Sequence, residues 1–313
     1  MRYRDELPQL SSARPFICDG GLETTLIFHR GIDLPHFAAF DLLRTRDGTE
    51  EIRRYFRPYL EIARRNQVGF VLDTPTWRAS PDWGALLGYS PAELDAANRA
   101  AVALAEELRN EMGDTPAAIV VSAVVGPRGD GYDPAALLSA GEAERYHSEQ
   151  IGTFSRTNAD MVSAITMTHV EEAVGVVRAT GAVGMPVVIS FTVETDGRLP
   201  SGTPLRDAIE ETDALTDGAA AYFMVNCAHP THFADVLDDP GSWRDRIGGL
   251  RANASKQSHA ELDDAEVLDE GDPAEFGDDH RSLRPLLRGV KVVGGCCGTD
   301  HRHVAEVCSA WLD

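Results

Sequence analysis

The chain has 313 residues, 43% hydrophobic, 25% charged and 7% aromatic, a globular composition that excludes disordered and low-complexity readings. Asp and Glu number 50 against 29 Lys and Arg, a formal charge of −21; a surface this acidic repels phosphate backbones and anionic bilayers, so neither nucleic acid nor a membrane is expected as a partner. No run approaches the roughly 18 consecutive apolar residues of a spanning helix, the opening MRYRDELPQLSSARPF has no apolar signal core, and five cysteines are an odd set, so a cytoplasmic location is expected.

Taken in chain order, short apolar runs alternate with amphipathic stretches. The first candidate strand is Pro15 to Cys18, followed by a helical pattern over Glu50 to Asn66. The second strand, Val68 to Leu72, leads to a helix over Pro91 to Met112, opened by Ser90-Pro91. Ala117 to Val125 and Met161 to Thr166 follow as strands three and four, with helices over Ala140 to Asn158 and Val170 to Thr180. Strand five is Pro186 to Thr192, before a helix over Pro204 to Thr216; strand six is Ala220 to Val225, and strand seven Ile247 to Ala252. Val290 to Val293 is the eighth strand, and a last helix covers His301 to Leu312.

Most of these strands are continuous apolar runs, as expected of parallel strands buried on both faces. Eight of them alternating with helices predict an α/β fold, a single (β/α)8 TIM barrel forming one domain over residues 1–313, with its core at about 15–310. A doubly wound open sheet is the competing architecture, but the glycines after strand one (Asp19-Gly20-Gly21-Leu22-Glu23) lack the spacing of a dinucleotide-binding turn. Between His259 and His280 the segment HAELDDAEVLDEGDPAEFGDDH holds ten acidic residues and no Lys or Arg, and reads as an exposed, solvated excursion at about 259–280.

In such a barrel reactive groups gather where strands run into their helices. Cys227 lies just beyond strand six, and Cys296 and Cys297 just beyond strand eight, so three thiols about seventy residues apart in sequence can converge on one rim. Three thiolates with one open position suit zinc. Both neighbours Cys296 and Cys297 can face one ion only if the backbone turns sharply, and Gly294, Gly295 and Gly298 permit that turn. Two other readings stand beside it. The cysteines can be small buried hydrophobes, or a redox pair, although a disulfide between adjacent cysteines is strained. If zinc is present, three thiolates make it a poor Lewis acid but a good holder of an incoming thiol as thiolate, a chemistry suited to sulfur alkylation.

These residues resemble those of the homocysteine S-methyltransferase family, zinc-dependent (β/α)8 barrels related to betaine–homocysteine and S-methylmethionine–homocysteine methyltransferases. GGCCGT at Gly294 to Thr299 is similar to the family's C-terminal zinc signature, and Val225 to Cys227 (VNC) to the segment supplying its first thiolate. DGGLET at Asp19 to Thr24, VVGPRGDGY at Val124 to Tyr132 and ISFTVETDGRLPSGTPL at Ile189 to Leu205 resemble further motifs of the family. The resemblance implies zinc (Zn2+) at Cys227, Cys296 and Cys297. It also implies a substrate pocket at Asp19, Gly20, Gly21, Thr74, Thr76 and Asn226, with Asp19 holding the homocysteine amino group.

The implied activity moves a methyl group from a small onium donor (S-methylmethionine, S-adenosylmethionine or betaine) to the thiol of homocysteine, forming methionine. No general acid is needed, because an onium donor leaves as a neutral molecule. Relatives using methylcobalamin or folate carry further domains, which this length is expected not to accommodate. The partners implied are thus a small-molecule thiol acceptor and a methyl donor; the fold often self-associates as a homo-oligomer, and the sequence leaves that open. The chain departs from the family's pattern at Ile165, where a glutamate binding the substrate ammonium is usual, at Thr168 in place of proline, and at Trp77-Arg78 in place of tyrosine and glutamine. Glu194 and Asp73, each at a strand end, are the available substitutes for the missing glutamate. The alternatives are the same scaffold acting on a different thiol or selenol, or a non-catalytic barrel that binds zinc and a thiol. Among the remaining cysteines and histidines, Cys18 and Cys308 read as packing, and His229 as the cap of the turn at Pro230-Thr231.

Overall fold

A computed structural model describes residues 2–113, 117–131 and 137–312. Tyr132, the last residue of the third-strand motif, lies outside the described residues. Eight parallel strands close into one barrel in chain order: β1 (Phe16–Ile17), β2 (Gly69–Asp73), β3 (Ile119–Val125), β4 (Met161–Met167), β5 (Val187–Phe191), β6 (Tyr222–Asn226), β7 (Ile247–Ala252) and β8 (Val292–Gly295). The closing pair is β1 with β8, registered Phe16 to Val292 and Ile17 to Val293. This is the (β/α)8 barrel expected from the alternation, and an open doubly wound sheet is excluded by the closure.

Two apolar layers follow from strand parity. One set of residues, including Ile17, Phe70, Val121, Val162, Ile189, Phe223, Leu250 and Val293, packs outward against the surrounding helices. The other, including Phe16, Val71, Val120, Met161, Val188, Tyr222 and Val292, fills the barrel interior together with Cys18. The chain's start closes the barrel's lower end. Leu7 joins the interior cluster, Gln9 Nε2 donates to Tyr222 Oη at 3.4 Å, and buried Asp160 accepts from the backbone N–H of Arg2 and Tyr3.

The helices agree with the sequence pattern to within a few residues at their ends. The first long helix begins at Arg46 rather than Glu50, because the Thr45 side chain caps it by accepting from Gly48 N at 3.0 Å. The acidic excursion departs further from expectation. Its second half is the helix Pro273–Leu283, capped by Asp272, with Phe276, Gly277, His280 and Leu283 buried. The apolar contacts recur at helical spacing, but one is a histidine and acidic residues surround them, which made the stretch read as solvated.

At the upper end, the interior-facing positions turn polar. Asp73, Ser122, Ser163, Ser190, Asn226 and Arg251 are all buried there, in a layer held by hydrogen bonds and ion pairs rather than by apolar packing, with Asp73 Oδ1 alone among their side-chain atoms left without a hydrogen-bond partner. That layer is the floor of the site.

Candidate functional site

Cys227 follows β6 directly and Cys296 follows β8, so barrel closure carries both to one rim. Their sulfurs lie 3.0 Å apart, and Cys227 Sγ is 3.7 Å from Cys297 Sγ. The three ligand atoms fall within 4.8 Å of one another, the one such group of His, Cys, Asp or Glu among the described residues. This gathering of soft sulfur donors fits a thiolate-ligated metal such as zinc.

The backbone is bent to make it possible. Cys227 sits at φ +55°, an uncommon conformation for a residue with a side chain. It is pinned there by its N–H to Arg251 O at 3.1 Å and by its carbonyl, which accepts from His259 Nε2 at 2.5 Å. His259 Nδ1 in turn faces Glu194 Oε1 at 3.0 Å. The Cys296–Cys297 turn is held by Thr299, whose hydroxyl and N–H both bond the Cys296 carbonyl, and is closed by Gly298 at φ +77°. The first-strand glycines serve this turn: a Cβ on Gly21 would lie 2.7 Å from the Cys296 carbonyl, and one on Gly20 would lie 2.8 Å from the Thr299 carbonyl.

Beneath the sulfurs lies a group the sequence reading did not foresee. Arg251 of β7, buried inside the barrel, pairs with Asp19 Oδ1 at 2.8 Å and with Asp73. Asp19 gives its other oxygen to the Tyr55 hydroxyl at 3.0 Å. Burial pushes the Asp19 carboxyl up to about 6, against the opposing pull of Arg251, and pushes Asp73 up as well. Hydrogen bonds from Cys227 and Cys297 hold the Cys296 thiol well below its ordinary range, with the nearby Arg251 charge acting in the same sense. A residue written as an arginine in a short strand reads as a surface group; strand parity is the signal that it points inward.

Above this floor opens a cavity of about 470 Å3. Asp19, Gly20, Gly21, Thr74 and the three cysteines line it, as do Ile165, Trp77 and Glu23. Two expected pocket residues stand elsewhere. Thr76 is fully buried behind the wall, its hydroxyl donating to Val124 O at 2.6 Å and bonding Thr74 at 2.7 Å. Asn226 is also fully buried. Its carbonyl oxygen accepts from Thr166 N at 2.9 Å and Ser190 Oγ at 2.6 Å, and its amide donates to Thr166 Oγ1 at 2.8 Å. Asn226 therefore braces Thr166, which has φ +66°, where β4 loses its regular register against β5. Both residues shape the wall from behind because their side chains are consumed by strand-end hydrogen bonds.

Of the two proposed stand-ins for the missing glutamate, Asp73 is paired with Arg251 and Glu194 with His259. His229 caps its own turn, its Nδ1 accepting from Thr231 N at 3.3 Å. The acidic excursion is not merely solvated: His259, Leu262, Asp263, Ala265, Val267, Leu268 and Asp269 form one side of the cavity. Glu23 went unnoticed in the sequence although it stands inside the DGGLET motif. Its carboxyl is half-buried on the cavity wall, and burial pushes it up to about 7.

The fold and site define a parallel (β/α)8 barrel with three converging thiols at its C-terminal rim and a small-molecule cavity above them. The chain belongs to the homocysteine S-methyltransferase family, whose model matches residues 16–311. Betaine–homocysteine S-methyltransferase 1 of Bos taurus is 27% identical over 327 residues, covering 96% of this chain and 73% of that protein. S-methylmethionine–homocysteine S-methyltransferase BHMT2 of Rattus norvegicus is 26% identical over 200 residues, covering 55% of this chain and 54% of its own length. The homocysteine methyltransferase MmuM of Escherichia coli shares the fold: its metallated form aligns with a TM-score of 0.72 at 19% identity, over 96% of this chain and 97% of that one. No helix among the described residues is long and apolar enough to cross a membrane.

Proposed function

We propose that this chain transfers a methyl group from a small onium donor to the thiol of homocysteine, with zinc held by Cys227, Cys296 and Cys297. The observation that carries the reading is the convergence of three sulfurs on the floor of a cavity of about 470 Å3, a volume suited to small ligands. Zinc at that position would lower the pKa of an incoming thiol and leave electron density on its sulfur for attack on carbon.

The remaining work falls to the chain's own residues. Gly20 and Gly21 keep the cavity's first-strand wall close to the cysteine turn. Arg251, Asp19 and Asp73 form a buried polar floor held by ion pairs within the chain. Asp19, Glu23, Asp73, Asp130, Asp263 and Asp269 on the lining outnumber Arg78 and Arg251, so the cavity's field favours a cationic donor. In the overall change the acceptor sulfur gains the methyl carbon. The donor's carbon–onium bond breaks, its electron pair stays with the leaving group, and that group departs neutral.

Zinc-loaded protein incubated with L-homocysteine and, separately, betaine, S-methylmethionine or S-adenosylmethionine is expected to form methionine with at least one donor, detected by mass spectrometry. Protein that holds zinc and binds the thiol yet forms no methionine with any of the three would overturn the reading.

A further inference from the structure

We propose that Glu172 and His169 are positioning residues that seat the loop after β3 as a wall of the cavity, although neither lines the cavity itself. Only the ligand half of the test below rests on the thiol-acceptor reading.

The inner side of this loop meets the cavity. Val124 and Asp130 are on the lining there. A Cβ on Gly126 would lie 2.5 Å from the Trp77 carbonyl oxygen, and one on Gly131 would lie 3.0 Å from Thr166 Cγ2, so the backbone rests directly on two lining residues. Arg78, stacked between the Trp77 and Trp83 rings, donates to Gly129 O at 3.1 Å. Trp77 and Arg78, where the chain departs from the family's second-strand motif, thus grip the loop from the cavity side.

The outer side is held by the start of the helix Val170–Ala182. The Arg128 N–H donates to Glu172 Oε1 at 2.7 Å, and His147 Nε2 donates to the same oxygen at 2.9 Å. Burial opposes the charge on Glu172, which is 2% exposed, but these hydrogen bonds hold its carboxyl below the ordinary value. The Leu138 N–H donates to His169 Nε2 at 3.2 Å. That nitrogen therefore carries no proton, and the ring's Nδ1–H donates to Thr168 Oγ1 at 3.1 Å.

His169 and Glu172 have the spacing of a capping box. Ser90 with Glu93, Ser139 with Glu142 and Ser258 with Glu261 use that spacing to close their own helices. His169 makes no side-chain cap bond to its helix. Both side chains reach instead to backbone N–H groups 44 and 31 residues earlier in the chain. Two capping positions are diverted from helix closure, and the cavity wall is what the diversion secures.

The test uses the zinc-loaded full chain as wild type, Glu172→Ala, Glu172→Gln and His169→Phe, and reads amide hydrogen exchange and calorimetric titration with L-homocysteine. Glu172→Ala should speed exchange at Arg128, and His169→Phe at Leu138, by about 10-fold or more, with strand amides protected as in wild type. In both variants homocysteine binding should weaken by about 10-fold, as the seated loop becomes a minor population, while zinc content stays unchanged. Glu172→Gln keeps an oxygen for Arg128 and His147 and should stay within about threefold of wild type in both readouts. A lower melting temperature with unchanged affinity in both Glu172→Ala and His169→Phe would mark a merely structural role and overturn the proposal. So would a Glu172→Gln variant as impaired as Glu172→Ala. If Glu172→Ala fails to fold, His169→Phe and Glu172→Gln carry the test. If wild type binds no homocysteine, the thiol-acceptor reading falls, and the exchange pattern alone decides whether these residues seat the loop.

Discussion

Replacing Arg251 by Met keeps a long stem inside the barrel and deletes the one positive charge between Asp19 and Asp73. All three side chains are buried, with Arg251 7% exposed and Asp19 3%, so water at the cavity floor is a poor replacement for the lost partner. Removing one member of a buried ion pair costs roughly 3–5 kcal/mol. At about 2.1 cal/mol/K of unfolding entropy per residue, a chain of this length loses roughly 5–8 °C of melting temperature. The pH dependence has a definite sign. Burial already raises the Asp19 carboxyl from 3.8 to about 6, and Asp73 moves in the same direction. A carboxyl raised in the folded state contributes stability that is present below its unfolded pKa and is lost as pH rises through the folded one. Without Arg251 both carboxyls rise further, so the variant's deficit should widen between pH 5 and pH 8. Scanning calorimetry of wild type, Arg251→Met and Arg251→Met/Asp73→Asn at both values measures it, and the double variant should recover part of the loss at pH 8. A deficit that is absent, or larger at pH 5, would refute the assignment of the triad as a charged, buried unit.

Three further outcomes are expected. Cys297→Ser should hold well under one zinc per chain after dialysis, where wild type holds about one, by atomic emission; full retention would show that the three sulfurs do not act together. Asn226→Ala strips three hydrogen bonds from Thr166 and Ser190 and should cost at least about 2 kcal/mol in denaturant unfolding; an unchanged midpoint would mean that Thr166 holds its φ without help. Gly294→Ala places a Cβ against Cys18 Sγ and 2.8 Å from the Asp19 carbonyl, and should cost roughly 1–3 kcal/mol, because a backbone atom cannot yield as a side-chain tip can. Wild-type stability in that variant would mean that β1 and β8 separate more easily than their register suggests.

The strands and most helices were legible because their signals are local. Continuous apolar runs mark β2 to β6, since a strand covered on both faces needs no polar alternation. The GGCCGT run could be read as a bent, metal-ready turn because the glycines and the cysteines are neighbours in sequence. Pro273–Leu283 was missed because its buried stripe is partly histidine and its exposed face is acidic.

The sequence by itself determined which backbone could form and which sulfurs could meet, because hydrophobic period and glycine placement act over a few residues. What each charged side chain does was decided only by barrel closure. Asp19 and Asp73 looked available for substrate until β7 set Arg251 between them across 232 and 178 residues of chain. Thr76 and Asn226 looked like pocket residues until the strand ends claimed their hydrogen bonds. A charge in a closed interior takes its role from the charges that closure brings against it, and those neighbours lie too far apart in sequence for any local pattern to record.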